Sequence, residues 1–220
     1  LSDGKVKCWG LNDNGQLGDG STTDSTTPVD VSGITTATSI AVGADHSCAL
    51  LSDKTIKCWG SGSDVADGTT TDRSTPVTIS GITTATSIST NFQHSCALLT
   101  DGTVECWGYN AYGQLGDGTT TSSFRSTVTV SGITSAANID LGSYHSCAVL
   151  TDGKVKCWGE NDSGQLGDGT TTQRLTPVEV SGITTATSIS LGDLHSCAVL
   201  TDGTVMCWGR DGSGQLGDGT

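Results

Sequence analysis

Residues 145–194 read HSCAVLTDGKVKCWGENDSGQLGDGTTTQRLTPVEVSGITTATSISLGDL, and this stretch decides the architecture. Two short β-prone runs, Cys147–Leu150 and Val155–Trp158, flank Thr151-Asp152-Gly153. A three-residue connection ending in a glycine at positive φ makes a β-hairpin. With the loop centred on Asp152, Cys147 falls directly opposite Cys157, Ser146 opposite Trp158 and Ala148 opposite Lys156. Opposed residues at a non-hydrogen-bonded position of an antiparallel pair stand about 4.5 Å apart at their Cα atoms, at the short end of what a disulfide accepts. Further on, a strand at Val178 and Val180, a Ser-Gly-Ile turn and a strand at Ile189 and Leu191 bring the count to four strands.

The same unit recurs along the chain. Cys-Trp-Gly begins at Cys8, Cys58, Cys106, Cys157 and Cys207, and His-Ser-Cys-Ala at His46, His94, His145 and His195. A period near fifty carrying short strands and no sustained helical pattern reads as an all-β blade array. The units run over 1–45 (partial), 46–93, 94–144, 145–194 and 195–220 (partial), about four and a half repeats in one region, 1–220. The cysteine-to-cysteine spacing within the hairpin never varies, so this segment is the rigid part. Length changes fall outside it. The second unit replaces the Gly-Gln-Leu-Gly loop at Ser63–Ala66, and the third has an extended loop at Ser122–Arg125 with Thr127 where others have Pro28, Pro76 and Pro177. In the second unit Thr90 is read as the replacement for a glycine, and Lys54 takes the hairpin position that is Gly102, Gly153 or Gly203 elsewhere, at about 1 kcal/mol.

The register predicts the disulfides Cys48–Cys58, Cys96–Cys106, Cys147–Cys157 and Cys197–Cys207. Free buried thiols are the alternative; zinc fits poorly, since there is no CxxC spacing. Cys8 is the ninth cysteine and has no upstream partner, which leads us to expect a further His-Ser-Cys strand before Leu1. Four staples imply an oxidising compartment and a secreted or surface-exposed protein.

Composition narrows the function. Glycine is abundant at 31 of 220 residues, charged residues are only 15 %, and the net charge of −13 repels nucleic acid and anionic lipid. No apolar run reaches the length of a membrane span. The repeated histidines read as structural hydrogen-bonders, and the Gly-Asp-Gly aspartates (Asp19, Asp67, Asp117, Asp168, Asp218) as turn formers. Loops such as Asn12-Asp13-Asn14-Gly15 carry oxygens suited to calcium but lack an ordered calcium-loop spacing. No metal or cofactor is expected. Asn161-Asp162-Ser163 is a lone glycosylation sequon read as chance. Blade-specific chemistry is expected where units differ: Phe92, Tyr109, Tyr112, Phe124, Arg125 and Tyr144 are the candidate interaction residues.

These motifs resemble the repeat of the regulator of chromosome condensation (RCC1) family. The carriers are Gly-x-x-His-Ser at Gly43, Gly142 and Gly192, the hairpin, Trp-Gly, and Asn-x-x-Gly-Gln-Leu-Gly at Asn12, Asn110 and Asn161. The resemblance implies a β-propeller of four-stranded antiparallel blades, part of a longer ring. The cysteine-bearing, threonine-rich form resembles a bacterial, exported branch. The family's best-known activity, nucleotide exchange on a nuclear GTPase at chromatin, suits a basic surface and is not expected of this acidic chain. The favoured reading is a non-catalytic extracellular or cell-surface propeller serving as a structural or adhesive module that binds a protein or itself. The alternative is a propeller that inhibits a partner protein or recognises a ligand through one loop face.

Overall fold

The computed structural model describes residues 1–219. Seventeen strands and no helix are found among them. The first sheet holds β1 (Lys7–Gly10) and β2 (Ser25–Asp30); the second holds β3 (Ala37–Val42), β4 (His46–Leu51), β5 (Ile56–Gly60) and β6 (Arg73–Thr78). The third holds β7 (Ala85–Asn91), β8 (His94–Leu99), β9 (Val104–Gly108) and β10 (Ser123–Thr129). The fourth holds β11 (Ala136–Leu141), β12 (His145–Leu150), β13 (Val155–Gly159) and β14 (Arg174–Glu179), and the fifth β15 (Ala186–Leu191), β16 (His195–Leu200) and β17 (Val205–Gly209). Each sheet is an antiparallel meander, one propeller blade. A blade therefore straddles the sequence unit: the Ile189 strand closes one unit and pairs with the hairpin of the next, Ile189 standing opposite Ala198.

The hairpin register is the expected one, with Ser146 opposite Trp158, Cys147 opposite Cys157 and Ala148 opposite Lys156. All four disulfides form, with Cα–Cα separations of 4.1 Å. Lys54 adopts φ +67°, as its glycine counterparts do. Pro28, Pro76 and Pro177 lie on the outer strands β2, β6 and β14, where the ladder is interrupted. An outer strand can lose an N–H donor without breaking the sheet.

The core is not inside the blades but between them. Alternation along β12 sends Ser146, Ala148 and Leu150 toward the preceding blade and His145, Cys147 and Val149 toward the following one. Ala148, Leu150 and Trp158 accordingly join the cluster with Leu98, Leu115 and Val130, while Cys147, Val149 and Cys157 join the cluster with Ile189 and Ala198. Both faces of the strand are buried along its whole length. A hairpin covered on both sides reads as a continuous small-and-apolar run, HSCAVL, instead of an in-out alternation.

One expectation is corrected on the outer edge. The additional residue of the third unit does not make a longer loop; Phe124 and Arg125 are in β10, which has seven residues where β6 and β14 have six. The extended backbone absorbs the insertion as an irregularity in the pairing between Ser123 and Val128. A second correction concerns Thr90. Asn91, not Thr90, stands three residues before its histidine as Gly43, Gly142 and Gly192 do; it extends β7, and its Nδ2 donates to Leu141 O at 2.8 Å.

Candidate functional site

Each blade interface is built around the histidine, the serine after it, the tryptophan and the loop between the third and fourth strands. Ser146 Oγ donates to Gln114 O at 2.8 Å, and the same carbonyl accepts Trp158 Nε1 at 2.8 Å. A backbone carbonyl has two lone pairs, and both are used. Because the serine has spent its only hydrogen, it accepts from His94 Nε2, 3.0 Å away on the preceding blade. His145, Ser196, Gln165 and Trp208 repeat the arrangement one blade on, and Ser47, Trp59 and Gln16 repeat its carbonyl end two blades before.

The loop that supplies these carbonyls is held from within. Asn161 is fully buried; its Oδ1 accepts Leu166 N, and its Nδ2 donates to Thr170 O and Thr172 O. The sequon asparagine thus has its amide committed inside the fold. Beside it, the Gly-Asp-Gly aspartates form turns, Asp168 Oδ1 accepting Thr170 N at 2.9 Å. Arg174 and Arg73 also pair with Asp168 and Asp67, an ion pair the spacing did not announce. The second unit has Gly62 in place of the asparagine, yet it keeps the turn aspartate, Asp67 Oδ1 accepting Thr69 N, and the tryptophan bond. Val65 and Ala66 take the buried places of Leu and Gly, and Asp64 O accepts Trp107 Nε1 at 3.0 Å.

The electrostatics of the interface follow from burial. Buried within the seams, His46 is pushed down to about 4 and His94 and His145 to about 3, burial being the largest cause in each. These imidazoles stay neutral at physiological pH, and His94 and His145 donate to serines whose own hydrogens are already spent. They lie in separate seams, each bonded to the next blade's serine, with no carboxylate in the arrangement that would make a nucleophile of that serine. Among the described residues no three His, Cys, Asp or Glu side chains converge to hold a metal ion. The Asn12 side chain is occupied inside its own loop, Oδ1 accepting Leu17 N at 2.9 Å.

The family model of the RCC1-like domain matches residues 1–220. The chain belongs to the RCC1-like family. The ultraviolet-B receptor UVR8 of Arabidopsis thaliana is 32 % identical over 182 residues, covering 80 % of this chain and 41 % of the receptor. Solved structures share the fold. Human WBSCR16 superposes with a TM-score of 0.85 at 22 % identity, over 96 % of this chain and 58 % of that one. Prp20p of Saccharomyces cerevisiae gives 0.80 at 24 %, over 97 % and 55 %. The chain spans about half the length of these relatives.

On this RCC1-like scaffold a fixed backbone rung presents variable side chains on one face. The residue before each histidine accepts a hydrogen bond from the residue after Trp-Gly: Asp45 from Ser61, Gln93 from Tyr109, Tyr144 from Glu160 and Leu194 from Arg210. The sequence reading found Tyr109 and Tyr144 separately but not that Glu160 and Arg210 occupy equivalent places; counting from Trp-Gly would have shown it. The third and fourth blades bring four of the six candidate residues together. Tyr144 lies 4.9 Å from Tyr112, 5.5 Å from Phe92 and 6.2 Å from Tyr109 between ring centroids. Its phenol is held above the usual range, by burial first and then by Tyr112, Tyr109 and Glu160. Phe124 and Arg125 do not join this cluster; they line a shallow cleft with Thr70 on the outer strands.

Cys8 is buried and free, and burial pushes its thiol up to about 11. It borders a cleft of ≈ 420 Å³ lined by Trp9, Leu11, Ile40, Val42 and His46. Trp9 is 63 % exposed there, whereas Trp59, Trp107 and Trp158 are sealed inside their seams.

Proposed function

We propose that this chain is the propeller of a non-catalytic, extracellular or cell-surface protein-interaction module, structural or adhesive in role and able to assemble through protein or self contacts. The observation that carries this reading is the interface arrangement itself. His46, His94 and His145, the serines they reach, and Trp59, Trp107, Trp158 and Trp208 lock one blade to the next, so the chemistry that differs between blades is presented by the exposed rungs and loops. Four hairpin disulfides support an oxidising compartment. The family supports the binding role: the yeast member Prp20 is described bound to Kap60 and by its binding to Gsp1p and histones. The face bearing Tyr144 favours recognition through one loop surface as the second reading.

The test is the location and thiol state of the native protein. Cells are treated with a membrane-impermeant biotinylating reagent and lysed under thiol-trapping conditions, and the protein is analysed without reduction. Surface labelling together with four intrablade disulfides supports the proposal. A protein confined to the reducing cell interior with alkylated hairpin cysteines overturns it.

A further inference from the structure

The aromatic cluster is unlike anything else on the rung face. Phe92, Tyr109, Tyr112 and Tyr144 come from three loops, and ring centroids between 4.9 and 6.5 Å with tilted or edge-on planes make them one continuous patch. Phe92 is 39 % exposed, and the three tyrosines are half-buried. The rim is acidic. Glu160 stands on the same rung as Tyr144, its backbone N–H bonded to Tyr144 O and its carboxylate tethered by Gln165 Nε2 at 3.3 Å. Asp162 is exposed two residues further, and Asp193 is held beside the patch by Ser143 Oγ at 2.9 Å.

Among the described residues no ion pair is formed at this rim: the ion pairs are Lys7–Asp30, Arg73–Asp67, Lys154–Glu179 and Arg174–Asp168, and none involves Glu160, Asp162 or Asp193. Arg210, on the adjoining rung, has its Nε beside Gly212. The phenol and benzyl rings present negative π faces, and a carboxylate at their edge adds a full charge. Such a surface attracts a cation and repels an acidic segment, and the net charge of −13 favours the encounter from a distance.

We infer that the Phe92–Tyr109–Tyr112–Tyr144 patch, with Glu160 at its edge, is the docking point for arginine or lysine side chains in an exposed basic segment of a partner protein. The inference rests on the reading of the chain as an interaction module and names the chemistry of its partner. Tyr144, touching the other three rings, is the anchor. Glu160 orients the cation.

The experiment measures fluorescence anisotropy of a labelled peptide of Arg-Gly-Ser repeats, with Lys-Gly-Ser and Glu-Gly-Ser peptides of the same length, against the full chain. The basic peptides bind and the acidic one does not. Tyr144→Ala weakens binding about thirtyfold, as expected on truncation of an interface anchor, Glu160→Gln about tenfold, and Tyr144→Phe stays within about threefold because the ring persists. Phe124→Ala, remote from the patch, serves as the control and leaves binding unchanged. Circular dichroism and thermal melting confirm that each variant is folded. Equal binding by Tyr144→Ala and the parent shows attraction to net charge alone and overturns the inference, as does equal binding of the acidic peptide. Loss of binding in Phe124→Ala as deep as in Tyr144→Ala overturns it too. A protein displayed at the surface with its disulfides intact but indifferent to the basic peptides keeps the module reading and loses only this inference; a reduced, internal protein loses the module reading whatever the peptides do.

Discussion

Trp158 Nε1 donates to the carbonyl oxygen of Gln114 across 2.8 Å, joining the third strand of one blade to a loop of the blade before it. This bond explains why Trp-Gly and Gly-Gln-Leu-Gly recur together. Neither motif completes its own blade; each is half of a seam. The indole edge rests on Gly116, where an added Cβ would stand 2.7 Å from Nε1.

Removing the bond and removing the ring are expected to differ. Trp158→Phe loses one buried hydrogen bond while Ser146 still donates to Gln114 O, a loss of about 1 kcal/mol. Trp158→Ala empties the seam and costs about 3–5 kcal/mol. Urea denaturation followed by tryptophan fluorescence measures both, and equal losses would refute the assignment of the indole as the main filler.

The glycine facing the indole has its own expected outcome. Gly116→Ala places a methyl group against Trp158 at φ +70° and destabilises by about 1–3 kcal/mol. The opposite change relieves strain: Lys54→Gly, at φ +67°, stabilises by about 1 kcal/mol. Thermal melting of the two variants should move in opposite directions.

Acid should weaken the seams before it titrates the turn aspartates. His46, His94 and His145 are held near 4, 3 and 3 in the folded chain, below the ordinary value of 6.5. The unfolded chain therefore binds more protons below 6.5, so stability is fully present above that pH and falls as pH drops toward the folded values. Each histidine adds up to ~1.4 kcal/mol per pH unit to the slope. Urea midpoints measured from about pH 7.5 down to about pH 5 should fall, and His145→Asn should make the decline shallower. A flat profile in the parent would show that these rings accept protons inside the fold.

The cysteines should separate cleanly by chemistry. Digestion without reduction yields the four links at Cys48–Cys58, Cys96–Cys106, Cys147–Cys157 and Cys197–Cys207. Cys8, with its thiol raised to about 11, resists iodoacetamide in the native chain and reacts on unfolding. Rapid native alkylation of Cys8 would contradict its burial. Reducing the bridges costs at most roughly 3 kcal/mol each, since each closes a short loop.

Much of this was legible along the chain because it is local. Thr151-Asp152-Gly153 sets the turn, the turn sets the register, and the register brings Cys147 opposite Cys157 without help from the rest of the molecule. The all-β class, the four-stranded unit and the disulfides follow from contacts within a few tens of residues. Even the buried histidine could be anticipated, because a residue repeated in every unit serves the repeat.

Other features depend on how blades meet. Ile189 lies at the end of one sequence unit, yet it pairs with Ala198 of the next unit to form a single blade. Ser146 and Trp158 are neighbours across a hairpin, yet both bond to Gln114 of the preceding blade. Phe92 and Tyr144 are 52 positions apart, and only the stacking of adjacent blades sets their rings 5.5 Å from each other. A hairpin register is dictated by covalent geometry and the spacing of its turn. Which face of that hairpin meets which neighbour is settled by packing between blades, where burial of Trp, Leu and Ile fixes the seams and leaves the variable rungs facing outward.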